Sequence, residues 1–424
     1  MVAGGSGLYS MVMPNWGGAD HANSAVSVLF ENNFFARFRI CWGPAVGVKL
    51  MDGPITLYGA PFSLYTGRAR SYLIKSGIDY REEPHSSDHF YDVVLPKAGG
   101  RRGIPTIEFP NGEVIRDGVA IIDHFEALNG DRFSPDTPKQ QIVSQILDVI
   151  GAEGLLRACM HYRWNFDLDN QEFLQFHFGT IMRAEEDQEK AAKERMAFIR
   201  KEVNPAWGVT LENHEFIETY HLTMLKKLNA HFTDYAYFLG GKPCRGDFGL
   251  MAPLYGHLGR DPKPLSLMQL HAVRLFRWVE RMNRPEPDVG EFLNKEEVYL
   301  AGDEIPQTLI DVLKHFATDF LPETRGACEA INNWLDENKD LPSGTEVERG
   351  IGNASFEVQG SKFNPAAQPF RFYLLKRMQD TYEAMSGADQ EGTRALLKAC
   401  DMTDLLDLKL TREIGRANNL EVWL

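Results

Sequence analysis

The run Ile55-Thr56-Leu57-Tyr58-Gly59 opens the part of the chain around which the rest is organised, a stretch reaching from Pro54 to Glu126. A short apolar, β-compatible segment closed by glycine predicts a buried strand. Working outward, Ala60-Pro61-Phe62-Ser63-Leu64-Tyr65-Thr66 has the composition of a loop, and Gly67 to Lys75 carries a helix that Gly77 ends. A basic, glycine-containing loop from Lys97 to Gly103 leads into Ile104-Pro105-Thr106-Ile107-Glu108-Phe109. The turn signal Pro110-Asn111-Gly112 separates that run from Val114-Ile115-Arg116, so the two form an antiparallel hairpin. Asp117 then starts a segment, continuing to Phe125, whose apolar residues recur at helical spacing.

This order of strand, loop, helix, Xaa-Pro strand, hairpin and helix resembles the amino-terminal, thioredoxin-like domain of the glutathione S-transferases. Ser63-Leu64-Tyr65-Thr66-Gly67-Arg68-Ala69-Arg70 is similar to the serine- or cysteine-type loop leading into the first helix, and Gly103-Ile104-Pro105-Thr106 to the cis-proline motif. Asp117-Gly118-Val119-Ala120-Ile121-Ile122 is similar to the acidic-serine-x-Ala-Ile segment, with Gly118 where that family usually has serine. The resemblance implies an α/β plus all-α architecture. A thioredoxin-like, glutathione-binding domain (54–130) is followed by a transferase-type helical domain (138–288) and an additional, mostly helical region (289–424), with an unassigned extension at 1–50.

Composition bounds the rest. A chain of 424 residues, 43% hydrophobic, can bury a sizeable core across two or three domains. A net charge of −14 without a lysine or arginine run argues against duplex nucleic acid and anionic membrane surfaces as partners. No apolar run is long enough to span a bilayer. Cys41, Cys159, Cys244, Cys328 and Cys400 are scattered, without a CxxC pair or metal-ligand spacing, which fits a reducing, cytoplasmic compartment. Met1 to Ala36 lacks lysine and arginine, contrary to a secretory signal or a mitochondrial presequence. That segment reads either as a poorly ordered extension or as an arm laying Phe34, Phe35 and Trp42 on the body.

Phe133-Ser134-Pro135-Asp136-Thr137-Pro138 is a turn-rich linker, and from Gln140 onward Ile142, Ile146, Leu147, Ile150, Leu155 and Leu156 mark helices. Arg183 to Arg200 reads as a solvated helix face, and His214 to Phe232 as an amphipathic helix. Tyr237 to Leu250, with Gly240-Gly241-Lys242-Pro243-Cys244 before Asp247, has a helix-start pattern similar to one in the transferase helical domain. Cys244 is a weak acceptor for the cap, which predicts an imperfect reciprocal box with Asp247. Leu267 to Met282 closes this domain before Arg284-Pro285-Glu286-Pro287. Beyond it, Pro306 to Asn338 reads as a helical pair around Pro322, Ser355 to Gln359 as a strand, and Pro369 to Arg377 and Leu396 to Leu410 as further helices. This tail, with Arg260-Asp261-Pro262, is similar to a longer bacterial-type transferase subgroup.

The resemblance implies a site for an anionic thiol peptide. Pro105 with a cis bond would turn the Ile104 N–H and C=O toward the glutathione backbone; the plainer reading is that Pro105 begins an edge strand. Asp117 either caps a helix or receives the γ-glutamyl end as well, and Gly118 keeps the backbone N–H there while losing the hydroxyl. Arg101 and Arg102 meet the glycine carboxylate or form a solvated loop. Ser63, before a helix amino terminus, is the chosen thiolate-stabilising hydroxyl, with Tyr58 and Tyr65 as rivals. Tyr162, Arg163 and Trp164 either border the acceptor pocket or belong to the core. The twelve histidines form no HExxH cluster and the GxG fragments lack a nucleotide-binding context, so no metal is expected.

The leading expectation is a homodimeric glutathione transferase acting on a small electrophile. Opposed to it are a non-catalytic binding module on the same scaffold and a glutathione-dependent isomerase or ether-cleaving enzyme.

Overall fold

A computed structural model describes residues 53–183, 187–285, 291–292 and 295–424; Phe34, Phe35 and Trp42 of the expected arm, and Cys41, lie outside the described residues. The leading elements are β1 (Ile55–Gly59), α1 (Leu64–Ser76), β2 (Tyr80–Pro84), a π-helical turn (Phe90–Val94) running into α2 (Leu95–Lys97), β3 (Thr106–Glu108), β4 (Val114–Arg116) and α3 (Gly118–Asn129). They form a thioredoxin-like layer: one four-stranded sheet in the order β2-β1-β3-β4, with β1 parallel to β2 and antiparallel to β3, and β4 antiparallel to β3. β1 is buried along its whole length, as its apolar run requires. β2, Tyr80-Arg81-Glu82-Glu83-Pro84, gives no apolar pattern because it is a half-exposed edge strand whose Glu82 binds Arg70 at 2.6 and 2.7 Å.

Ser63 caps α1 by accepting from Thr66 N–H at 3.4 Å, and Gly77 closes the helix in the left-handed region. Asp117 caps α3, accepting from Val119 and Ala120 N–H at 2.8 and 3.3 Å.

The helical body comprises α4 (Pro138–Glu153), α5 (Leu156–Trp164), α6 (Asp167–Gly179), α7 (Gln188–Phe198), α8 (His214–His231), α9 (Arg245–Gly256), α10 (Pro262–His271) and α11 (Val273–Met282). α4 and α9 cross where a Cβ on Gly151 would lie 2.2 Å from the Gly249 carbonyl carbon, so glycine permits the contact. The reciprocal box at α9 is complete: Asp247 accepts from Cys244 N–H at 2.9 Å, with Trp278 Nε1 also at 2.9 Å, correcting the imperfect cap expected from cysteine. Cysteine suffices because the whole box is shielded from water. Burial raises the Asp247 carboxyl to about 6.

The tail contains α12 (Gln307–Glu337), the hairpin β5 (Phe356–Val358) and β6 (Ser361–Phe363), α13 (Phe370–Glu383), α14 (Gly387–Ala399) and the hairpin β7 (Ile414–Ala417) and β8 (Leu420–Trp423). Two expectations are corrected here. The predicted helical pair around Pro322 is one continuous helix. Proline removes one backbone hydrogen bond, but Leu313, Phe316 and Phe320 before it and Ala327 and Ile331 after it are all buried, which outweighs a local cost of about 3 kcal/mol. The helix expected over 396–410 instead begins at Gly387, with Ser386 as cap, and ends at Ala399 before a 3-10 turn at Thr403–Leu406.

The tail packs back on the body. α13 joins α3 through Arg377 and Asp123 at 2.8 Å, and Trp423 stacks on Trp334. A buried ion cluster ties α5 to α12 and α13: Arg157 binds Asp319 at 2.8 and 2.9 Å and Glu323 at 2.7 Å, while Arg371 binds Glu323 at 2.7 Å. Among the described residues no helix is long and apolar enough to cross a membrane.

Candidate functional site

A cavity of about 680 Å³ opens between the sheet, the helical body and the tail. Ser63 reaches it from the start of α1, whose first turn is held by close approach to α9; a Cβ on Gly256 would lie 2.6 Å from Leu64 Cα. The Ser63 hydroxyl accepts from Thr66 N–H, leaving its own hydrogen to donate into the cavity. Tyr65 also lines the space, but its hydroxyl donates to the Ala152 carbonyl at 3.3 Å and burial pushes the phenol well up. Tyr58 lies elsewhere, packed with Phe90 and Val94 and donating to Glu108 at 3.0 Å. Alternation along β1 puts it on the opposite face from the one Leu57 buries.

The Ile104–Pro105 bond is cis, and both residues line the cavity. Among the described residues the Ile104 N–H and C=O form no hydrogen bond, whereas the Pro105 carbonyl accepts from Asp117 N–H at 2.9 Å. Asp117 stands at the rim with φ of 86° and Arg416 at 3.7 Å from its carboxylate. At Gly118 a Cβ would fall 3.4–3.6 Å from Arg68, Tyr65 and Pro105, ordinary contact distances, so packing at Cβ does not by itself exclude a side chain there.

The paired arginines separate. Arg101 is drawn into the tail, donating to the Val347 carbonyl at 2.5 Å and pairing with Glu346. Arg102 stacks on Tyr91 and faces the cavity with Arg195 of α7; both guanidinium charges, with burial as the larger cause, affect the wall, where His85 falls to about 4. Of the residues expected at the acceptor pocket, Trp164 lines it. Arg163 does so too, but is held by Asp261 at 2.6 and 2.7 Å and by the Phe62 carbonyl at 3.0 Å. Tyr162 is core, stacked on Phe166.

What the sequence reading missed is the tail's share of the wall. Val347, Glu348, Arg349, Gln368, Phe370 and Glu421 all line the cavity. Arg349 donates to the Arg102 carbonyl at 2.6 Å, and Glu421 binds Arg116 at 3.0 Å and Arg416 at 3.0 Å. No local pattern marks these residues, since their partners in the leading domain lie hundreds of positions away, 247 for Arg349 and Arg102 and 305 for Glu421 and Arg116. Glu153, the last residue of α4, was also missed. Among the described residues no group of three potential metal ligands converges.

The fold and cleft define a thioredoxin-like domain joined to a helical body. Residues 57–133 match the sequence family described as "Glutathione S-transferase, N-terminal domain". Solved structures similar to the chain include glutathione transferase GSTFuA3 from Phanerochaete chrysosporium, at 15% identity and TM-score 0.35, covering 54% of this chain and 96% of that one. A glutathione S-transferase of Ceriporiopsis subvermispora, solved in complex with glutathione, is 17% identical with TM-score 0.38, covering 54% and 96%. The β-etherase LigF from Sphingobium sp. strain SYK-6 is 16% identical with TM-score 0.38, covering 55% and 95%. No curated protein matches the chain.

Proposed function

We propose that the chain binds glutathione along the edge of the leading sheet and adds its thiolate to a small electrophile. The observation that carries this reading is the convergence of Ser63, Ile104-Pro105 and Asp117 on one cavity. Glutathione lies extended, its backbone paired with the Ile104 N–H and C=O, its γ-glutamyl ammonium on Asp117 and its glycine carboxylate near Arg102. Its sulfur sits at the start of α1, where the helix dipole and the Ser63 hydroxyl favour the thiolate. Position 63 is not cysteine, so no mixed disulfide is formed there. The cavity is of the size that holds a small second substrate.

Calorimetric titration with glutathione is the direct test. A binding heat is expected, and Ser63→Ala should lower turnover of a general electrophile at least about tenfold. Full activity in Ser63→Ala would move the role elsewhere. A second reading, a binding module without turnover, is favoured by the tail's occupation of one cavity wall; binding without conjugation of any electrophile would select it. The same proposal expects a homodimer in a reducing compartment such as the cytoplasm. The chain's own α13 and β7–β8 cover α4 and the β4–α3 edge, so self-association would use other surfaces, which light scattering after size exclusion reads out.

A further inference from the structure

We propose that Glu153 is a catalytic proton donor to the second substrate, and that this substrate is an electrophile whose oxygen gains charge when sulfur attacks, an enone or an epoxide. The inference rests on the glutathione reading above. Glu153 ends α4, lines the cavity and is 5% exposed, yet among the described residues its Oε2 has no hydrogen-bond partner. A buried carboxyl oxygen without a partner is a costly arrangement unless a ligand completes it.

Charge balance around it explains its form. Arg157 of α5 and Arg371 of α13 are already matched by Asp319 and Glu323 of α12. Arg371 also donates to the Glu153 backbone carbonyl at 3.0 Å, not to its carboxylate. A third carboxylate would be surplus: the Arg371 charge pulls the Glu153 carboxyl down, whereas Glu323 and Asp117 at the start of α3 push it up, and Tyr65 of α1 faces the same space as a neutral phenol. Burial, the largest cause, lifts the Glu153 carboxyl to about 8, so at neutral pH it keeps its proton and presents a donor.

In the enone case the sulfur–carbon bond forms, the C=C pair shifts, and the resulting enolate oxygen takes the Glu153 proton. The enol becomes ketone in solvent, and Glu153 recovers a proton of the kind the next thiol releases on ionising. No oxidant or reductant is required. Aromatic substitution expelling chloride needs no such donor, which supplies the contrast.

The full chain is tested with glutathione and two probes, a cyclic enone and 1-chloro-2,4-dinitrobenzene. In Glu153→Gln the ratio of enone to chloroarene kcat should fall at least about tenfold. The wild-type enone profile should decline above about pH 8, a limb the variant lacks. Equal loss with both probes, or none, overturns the proposal while a glutathione binding heat leaves the earlier reading standing; absence of that heat overturns both. Independently of any variant's activity, infrared difference spectra of the folded wild-type chain should show a carboxylic acid C=O stretch titrating near pH 8, and its absence also overturns the assignment.

Discussion

Ser63 and Asp117 are each committed to a helix cap, so activity and stability must be separated at both. At Asp117 the substitution to Asn keeps an oxygen for the Val119 and Ala120 N–H groups and tolerates the positive φ, whereas Ala loses the cap. Asp117→Asn is expected to stay within about 0.5 kcal/mol of wild type yet bind glutathione roughly tenfold more weakly, and Asp117→Ala to lose about 1 kcal/mol as well. Denaturant titration beside calorimetry distinguishes them. Glu153 makes a pH-dependent contribution whose sign is fixed by its raised carboxyl. The folded chain keeps a proton that the unfolded chain releases above about pH 4.3, so stability falls as pH rises toward about 8 and is level beyond. Urea unfolding at pH 5 and pH 8 should show a loss greater in wild type than in Glu153→Gln, by up to about 1.4 kcal/mol per pH unit, since Asp247, raised to about 6, contributes equally to both. Ser63, Pro105 and Asp117 were legible because each belongs to a local pattern of cap or turn. Glu153 was not: in sequence it is one more polar residue at a helix end, and its raised carboxyl comes from burial in a cavity whose walls are drawn from distant parts of the chain.

At the scale of elements, short distances decide. The first turn of α1 rests on Gly256, where an added Cβ would meet Leu64 Cα at 2.6 Å and the Ser63 carbonyl oxygen at 3.1 Å. Gly256→Ala is therefore expected to cost about 1–3 kcal/mol and to displace Ser63, lowering kcat more than glutathione affinity. Thermal unfolding and initial rates check the two parts separately. β1, the β3–β4 hairpin and α3 could be read beforehand because apolar runs and turn residues coincide there. β2 could not, since Tyr80-Arg81-Glu82-Glu83-Pro84 owes its strand to pairing with β1. At Pro322 the local rule lost to burial on both sides of the kink-prone position.

For the molecule as a whole, the tail is held by buried charge as much as by apolar surface. Removing one member leaves its partners unmatched, so Arg371→Met should cost about 3–5 kcal/mol, read as a lower denaturant midpoint. Glu421 plays the same part at the other end of the tail, between Arg116 and Arg416. None of this was visible in the linear chain, where the region from 289 onward offered helices and a strand but no chemistry. The pairing of Arg116 with Glu421 means that the leading domain is not a portable module. Grafted into a chimera without its own tail, it would carry Arg101 and Arg116 into water or into a foreign neighbour stripped of their counter-charges, and would arrive with its pocket missing a side. Successful exchange between such chains calls for transplanting both ends together.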